Sequence, residues 1–332
     1  MNQPIARGLA ALALVTGLTL MVACRSDEGP PPFSAAVLNS NLGIGENRVL
    51  LGLLDEEQGL VADATIEARI YAPNSDPFGD PVYDDARAEI SFLPRTIDLN
   101  AEHLGGHTTN LEGSSFRAIA NVEPRESTAV VRAHEGDLTT AYSAQMTFDQ
   151  SGFWGLEIDV TVDGKTYEGV RLKMAVLEDT AEPSIGEPAP RSEQLTLDDV
   201  DDVATVSSST QPIREMLDDT IADALDSGRP VVIAFVTPAF CQTRFCGPVL
   251  ELVVVPMYEE FKERVEFIHV EPYDLERARS TGSLQPVAVV QEWGLLSEPF
   301  VFVIDADGMI AAKFEGVMDV AELREAILAT LD

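Results

Sequence analysis

The sequence predicts a two-lobed protein, an antiparallel β-sandwich followed by an α/β domain. Three observations predict it. Residues from about Leu38 to Glu178 alternate apolar and polar side chains at period two, the signature of half-buried strands. From Ile213 onward apolar residues recur at helical spacing, and the strands between them are continuous apolar runs. Between the two, 181–212 reads by composition as a linker, acidic and broken by proline and glycine. At 332 residues the chain is long enough for two cores, and 45% hydrophobic with 7% aromatic residues is ordinary globular composition.

At the N-terminus an apolar run follows Arg7, "GLAALALVTGLTLMVAC", Gly8 to Cys24, shorter than a membrane span and ending in small residues. Ala23 directly before Cys24 resembles a bacterial lipoprotein signal, which implies a signal peptide over 1–23 and lipid on Cys24. An ordinary secretory signal and a retained short anchor are the alternatives. The polar, proline-rich "RSDEGPPPF" then reads as a tether, 24–37.

The first lobe spans 38–180. "VADATIEARIYA" places Ala64, Ile66, Ala68 and Ile70 on one face, and Leu156, Ile158, Val160 and Val162 form a second such row. Asp163-Gly164 is a hairpin turn into another strand. Short alternating strands of this kind predict a sandwich of immunoglobulin-like type. Trp154 reads as a core aromatic. His103 and His107 have a spacing that would hold a metal on a helix, but Gly105 and Gly106 predict a surface loop instead. No nucleophile–base pair or metal cluster stands out in this lobe.

The second lobe spans 213–332. Ile213, Met216, Leu217, Ile221 and Leu225 predict a helix closed by Ser227-Gly228. "PVVIAFVT" reads as a buried central strand, and 248–264 as a helix kinked at Pro256. "VEFIHVE" is a further strand, 284–293 a helix, and "PFVFVIDADGMIAAKFEG" a hairpin turning at Asp305 to Gly308. Asp319 with Glu322 three residues later is a capping box for the last helix.

The order α-β-α-β-α-β-β-α, the segment ending Cys246-Gly247-Pro248 and Pro299 opening the penultimate strand resemble a thioredoxin-like domain, of the kind found on anchored bacterial envelope proteins. The resemblance implies that Pro299 is cis and packs against the active-site cysteines. It also implies thiol–disulfide exchange with protein thiols or disulfides, without a cofactor. Three departures stand out. Cys-x-x-Cys has become Cys-x-x-x-x-Cys, Ala234 occupies the place of a buried aspartate, and Phe240 or Phe245 stands for the usual tryptophan.

Five residues along a helix rise about 7.5 Å and turn about 500°, so two helical cysteines at this spacing point apart. For Cys241 and Cys246 to bond, Cys241 must lie on a looped-back segment and Cys246 at or near the helix start. Pro238 and Gly247-Pro248 favour that arrangement. A thiol at a helix start, with Arg244 nearby, is the more easily ionised, which selects Cys246. Alignment on "FVTPAFC" selects Cys241, and both assignments stay open. Glu298, before Pro299, would accept a proton during exchange. Glu271 and Tyr273 close a strand at the sheet edge where ligands bind.

Two other readings use the same residues. Copper-delivery relatives of the fold, of the Sco type, bind Cu(I) through two cysteines and a histidine, here Cys241, Cys246 and His269. A non-catalytic binding lipoprotein would keep the bridge only as a staple. The charge, 56 acidic against 22 basic side chains or −34, excludes nucleic acid and anionic lipid surfaces as partners.

Overall fold

The computed structural model describes residues 30–56, 59–98, 138–241 and 245–331. The expected signal peptide and lipidation site at Cys24, the loop histidines His103 and His107, and Arg244 lie outside the described residues. From Pro32 onward the chain is one compact unit.

Seven strands build the first lobe: β1 (Ser34–Val37), β2 (Gly45–Leu54), β3 (Thr65–Tyr71), β4 (Ala88–Asp98), β5 (Leu138–Phe148), β6 (Gly152–Val162) and β7 (Lys165–Val176). All pairings are antiparallel, in the order β1-β2-β5-β4-β3-β6-β7. β4 serves two sheets: Ala88 to Phe92 pair with β3, and Leu93 to Asp98 with β5. That split gives one sheet of β1, β2, β5 and β4 and another of β3, β6 and β7, the strand order of a constant-type immunoglobulin sandwich. The outer edges nearly meet, since Gly43 bridges Leu177 and the Phe33 and Tyr167 rings pack edge to face at 5.5 Å. The tether expected over 24–37 therefore ends earlier. Ser34 to Val37 pair with Leu54 to Leu51, and Phe33 is buried in the core.

The alternating rows face inward as the sequence requires: Ala64, Ile66, Ala68, Ile70, Leu156, Ile158 and Val160 are all buried. Asp163 and Gly164 both take positive φ, 52° and 74°, as a two-residue hairpin turn needs. Trp154 is a core residue, packed on Phe148 with its indole N–H donating to the Gln150 carbonyl.

The acidic stretch 181–212 lies against the second lobe. Pro188 bridges Met309, Ala189 joins the core, and Ser192 accepts the Trp293 indole N–H at 3.2 Å.

The second lobe runs α1 (Ile221–Asp226), β8 (Val231–Phe235), α2 (Cys246–Val249), a π-helical turn (Leu250–Val254), α3 (Val255–Phe261), β9 (Glu266–Val270), α4 (Leu275–Thr281), α5 (Ala288–Glu292), β10 (Phe300–Ile304), β11 (Ile310–Glu315) and α6 (Val320–Ala329). The sheet order is β11-β10-β8-β9, with β8 and β9 parallel and the other pairs antiparallel. This is the thioredoxin-like arrangement. Every residue of β8 is buried, Val232 and Ala234 against α2, α3 and α6, and Val231, Ile233 and Phe235 against Trp293 on the other face.

Helix boundaries differ from the sequence expectation. The helix expected from Ile213 becomes a 3-10 turn, Arg214–Met216, followed by α1, because the Thr220 hydroxyl accepts the Asp223 N–H and starts a new helix. The helix expected at 248 begins two residues earlier, at Cys246. Its π turn, in which the Val255 N–H reaches the Leu250 carbonyl, absorbs the donor that Pro256 lacks. The helix expected over 284–293 shortens to α5. α4 was not foreseen, although Asp274 caps it and Gly282 at φ 71° ends it.

Candidate functional site

β8 delivers the chain to the end of the parallel pair, where Val236 and Thr237 are still fully buried. The chain then loops back through Cys241 and enters α2 at Cys246. The two sulfurs form a disulfide with Cα atoms 5.9 Å apart. This is the looped-back geometry that the spacing demands: Cys246 is the first helical residue and Cys241 lies outside the helix. The Cys246 N–H donates to the Cys241 sulfur at 3.3 Å. The sulfur thus occupies the place of an N-cap acceptor, because Phe245 at the cap position has no polar side chain. Cys246 has no exposed surface, whereas Cys241 is half-buried.

The second wall comes from the turn into β10. The Glu298–Pro299 peptide is cis, and Glu298 is buried. One carboxylate oxygen of Glu298 and the two sulfurs all lie within 4.8 Å of one another. Tyr273 donates its hydroxyl to Glu298 Oε2 at 2.8 Å. Behind this turn, Ser297 donates to Glu315 Oε1 at 2.6 Å, and Glu315 also accepts the Ser40 N–H from the first lobe at 2.9 Å. Burial pushes the Glu315 carboxyl up, against the lowering effect of the Ser297 and Ser40 hydrogen bonds.

Under the sheet end sits a second polar group. His269, on β9, donates from Nε2 to the Val236 carbonyl at 3.0 Å. Strand alternation aims the ring at the end of β8, and it is outside the donor cluster around the sulfurs. The copper set of Cys241, Cys246 and His269 is therefore not assembled; among the described residues the convergent set is Cys241, Cys246 and Glu298. While the sulfurs are bonded to each other they offer no thiolate to a metal.

Glu271, the residue just past the end of β9, accepts the Ser208 N–H at 2.5 Å, and burial pushes its carboxyl up. Ser208 in turn accepts the Ala239 N–H at 3.0 Å, which ties the acidic stretch to the loop that carries Cys241. Sequence reasoning named Glu271 and Tyr273 at this edge but missed Ser208. A serine in a polar, aperiodic stretch carries no signal, and its contacts are made by tertiary packing alone.

Chemically, the site offers one half-buried cysteine, one enclosed cysteine and a carboxylate beside both sulfurs. That combination suits exchange of a disulfide with an external thiol, with the carboxylate moving the proton.

No protein-family model and no curated protein matches the sequence. Among solved structures the chain is similar to a thiol:disulfide interchange protein of the thioredoxin family from Chlorobium tepidum TLS, at 17% identity over 45% of this chain and 99% of that one, with a TM-score of 0.29. It is also similar to the Lin-41 filamin domain, at 13% identity over 46% of this chain and 100% of that one, with a TM-score of 0.19. Likeness at these scores carries no functional weight, and the chain's own strand order and register establish the fold.

Proposed function

We propose that the chain is a thiol–disulfide exchange protein of the cell envelope, held outside the cytoplasm by lipid on Cys24 and acting on protein thiols or disulfides through Cys241 and Cys246. One observation carries the exchange reading: a carboxylate and a disulfide within 4.8 Å of one another at the start of a helix. A bridge closing so short a loop contributes only about 2 kcal/mol as a staple. The lipid anchor rests on the sequence "VAC" and its tether, and loss of the Cys24→Ala protein from the membrane fraction is the result expected if it is correct.

The step begins with a partner thiol. Glu298 takes its proton, and the thiolate attacks the Cys241 sulfur, the half-buried member of the pair. The partner–Cys241 sulfur bond forms as the Cys241–Cys246 bond breaks, and Cys246 leaves as a thiolate. In its enclosed position that thiolate takes the proton from Glu298. A second partner thiol then loses its proton, and its sulfur attacks the partner sulfur of the mixed disulfide. Cys241 departs as a thiolate that accepts the Cys246 N–H, and solvent returns a proton to it. The partner has lost two electrons and two protons, and the cysteine pair has gained them. The reverse sequence oxidises the pair.

The test is trapping with glutathione disulfide. In the Cys246→Ser protein, Cys241 should acquire one glutathione, read as a mass increase, while one glutathione thiolate departs. The Cys241→Ser protein should acquire none while folded. Equal labelling of both variants, or of neither, would overturn the assignment.

A further inference from the structure

The Cys-x-x-x-x-Cys spacing of Cys241 and Cys246 is longer than the Cys-x-x-Cys of the thioredoxin-like pattern. It falls among the spacings of zinc-binding cysteine pairs, which are commonly separated by about two to four residues. A third donor comes from elsewhere in the chain. Glu298 is buried in the turn into β10, and one of its carboxylate oxygens lies within 4.8 Å of both sulfurs. Glutamates are rarely enclosed, and this one is not a solvated surface acid. Tyr273 donates its hydroxyl to Glu298 Oε2 at 2.8 Å, which fixes the orientation of the carboxylate. The Cys246 N–H donates to the Cys241 sulfur at 3.3 Å. Both contacts are of the kind that orient metal ligands from outside the coordination sphere.

The bond between the sulfurs must open before either can hold a metal, and each reduced cysteine must lose its proton. On a tetrahedral zinc ion two thiolates lie about 3.8 Å apart, and a thiolate and a carboxylate oxygen about 3.5 Å. Donors already within 4.8 Å of one another are close enough to meet one such ion once the sulfurs part. The donor chemistry selects the ion. Calcium, magnesium and manganese favour sets of oxygens, and copper(I) favours sulfur with imidazole to complete the site. Zinc takes thiolate and carboxylate together. Among the described residues the convergent set holds neither an imidazole nor a second carboxylate.

We propose that the reduced pair and Glu298 form a zinc-binding site, with Cys241 Sγ, Cys246 Sγ and one Glu298 oxygen on one ion and water in the fourth position. Entry of the ion releases both thiol protons to solvent and leaves two thiolates and a carboxylate on the metal. Sulfur held on zinc is withdrawn from exchange, and the carboxylate from proton transfer, so the ion keeps the pair reduced and idle. The proposal shares its residues with the exchange reading, but its binding chemistry needs only a reduced pair, not an active one.

The test uses the full chain, reduced by a phosphine that is then removed, and cobalt(II) as the probe. Thiolate ligation gives cobalt(II) a charge-transfer band, and zinc displaces it. The reduced chain should bind a single cobalt ion with that band, and the oxidised chain should show no band. Glu298→Gln keeps an acceptor for the Tyr273 hydroxyl but lacks the anionic ligand, and should weaken binding about tenfold or more. Tyr273→Phe leaves all three donors in place and should weaken it about tenfold, which keeps the test open if the first variant does not fold. Absence of the band in the reduced parent chain, or an affinity unchanged in the variants that fold, overturns the proposal. Saturating zinc should slow reoxidation of the pair by glutathione disulfide about tenfold or more, and an unchanged rate overturns the proposal as well. A metal-free glutathione titration separates the two readings. Exchange with glutathione but no cobalt band overturns the zinc site and leaves the exchange reading intact. A cobalt band in the phosphine-reduced chain, with a bridge that glutathione does not open, supports the zinc site and overturns the exchange reading.

Discussion

Glu271 and Glu298 sit on either side of Tyr273, yet the fold treats them differently. Glu298 has the tyrosine hydroxyl and the sulfurs for neighbours, whereas Glu271 is enclosed and accepts the Ser208 N–H. Burial raises the Glu271 carboxyl above its ordinary value of 4.5. The unfolded chain therefore ionises first as pH rises, and the folded chain holds its proton longer. The contribution of this group is whole below about pH 4.5 and is lost as pH rises through the folded value. Glu271→Gln cannot ionise and keeps an acceptor for Ser208. It should match the parent protein in stability under acid conditions and exceed it at neutral pH by about 1–3 kcal/mol, read by denaturant unfolding at both pH values. A difference that does not change with pH would contradict the assignment. At this scale the sequence was informative wherever a residue adjoined a motif. Glu298 was found from Pro299, and Cys241 and Cys246 from their spacing. Ser208 was not found, because its partner Glu271 lies 63 residues away.

Among elements, strands were the more legible because period two and burial agree. Helix ends were less so, since they are set by caps and by neighbours. α5 ends in a Schellman motif, with Leu295 N–H donating to the Val290 carbonyl and Gly294 N–H to that of Gln291. Gly294 takes φ 62°, and a Cβ there would stand 2.0 Å from the Ala181 carbonyl oxygen. One glycine thus both ends the helix and admits the start of the acidic stretch. Gly294→Ala should cost about 3 kcal/mol or more, through strain and through displacement of residues 181 and 182. Thermal unfolding measures it, and a loss below about 1 kcal/mol, that of an ordinary positive-φ substitution, would contradict the close approach. The reading of 181–212 as a linker came from composition, which records polarity but not the Trp293 and Gly294 surfaces that hold the segment.

For the molecule as a whole, the two lobes share a core, with Leu50, Ile97 and Ala141 of the first packed among Phe314, Val317 and Leu323 of the second. Through the middle runs a buried ion pair. Arg48 meets Glu322 with two 2.8 Å hydrogen bonds and also donates to the Glu315 and Val317 carbonyls. Removing Arg48 leaves Glu322 with only the Ser143 hydroxyl at 3.1 Å and Arg95 at 3.4 Å, so Arg48→Met should cost about 3 kcal/mol, and Arg48→Met/Glu322→Leu should recover part of it. Calorimetry should show one transition for the parent chain; two well-separated transitions would contradict a shared core. Nothing in the sequence pairs Arg48 with Glu322, 274 positions apart. Periodicity identifies lobes but not the surface on which they meet. That surface bears on the chemistry, because Ser40 of the first lobe and Ser297 of the redox turn hold the same carboxylate, Glu315.

The most direct measurement is an equilibrium titration of the full folded chain against glutathione redox buffers, with the thiol content of Cys241 and Cys246 read by mass after quenching. The account predicts one reversible two-electron transition, complete without unfolding, with Cys241 the sulfur found in any mixed disulfide. A bridge that stays oxidised at every buffer ratio until denaturant opens the lobe would contradict it.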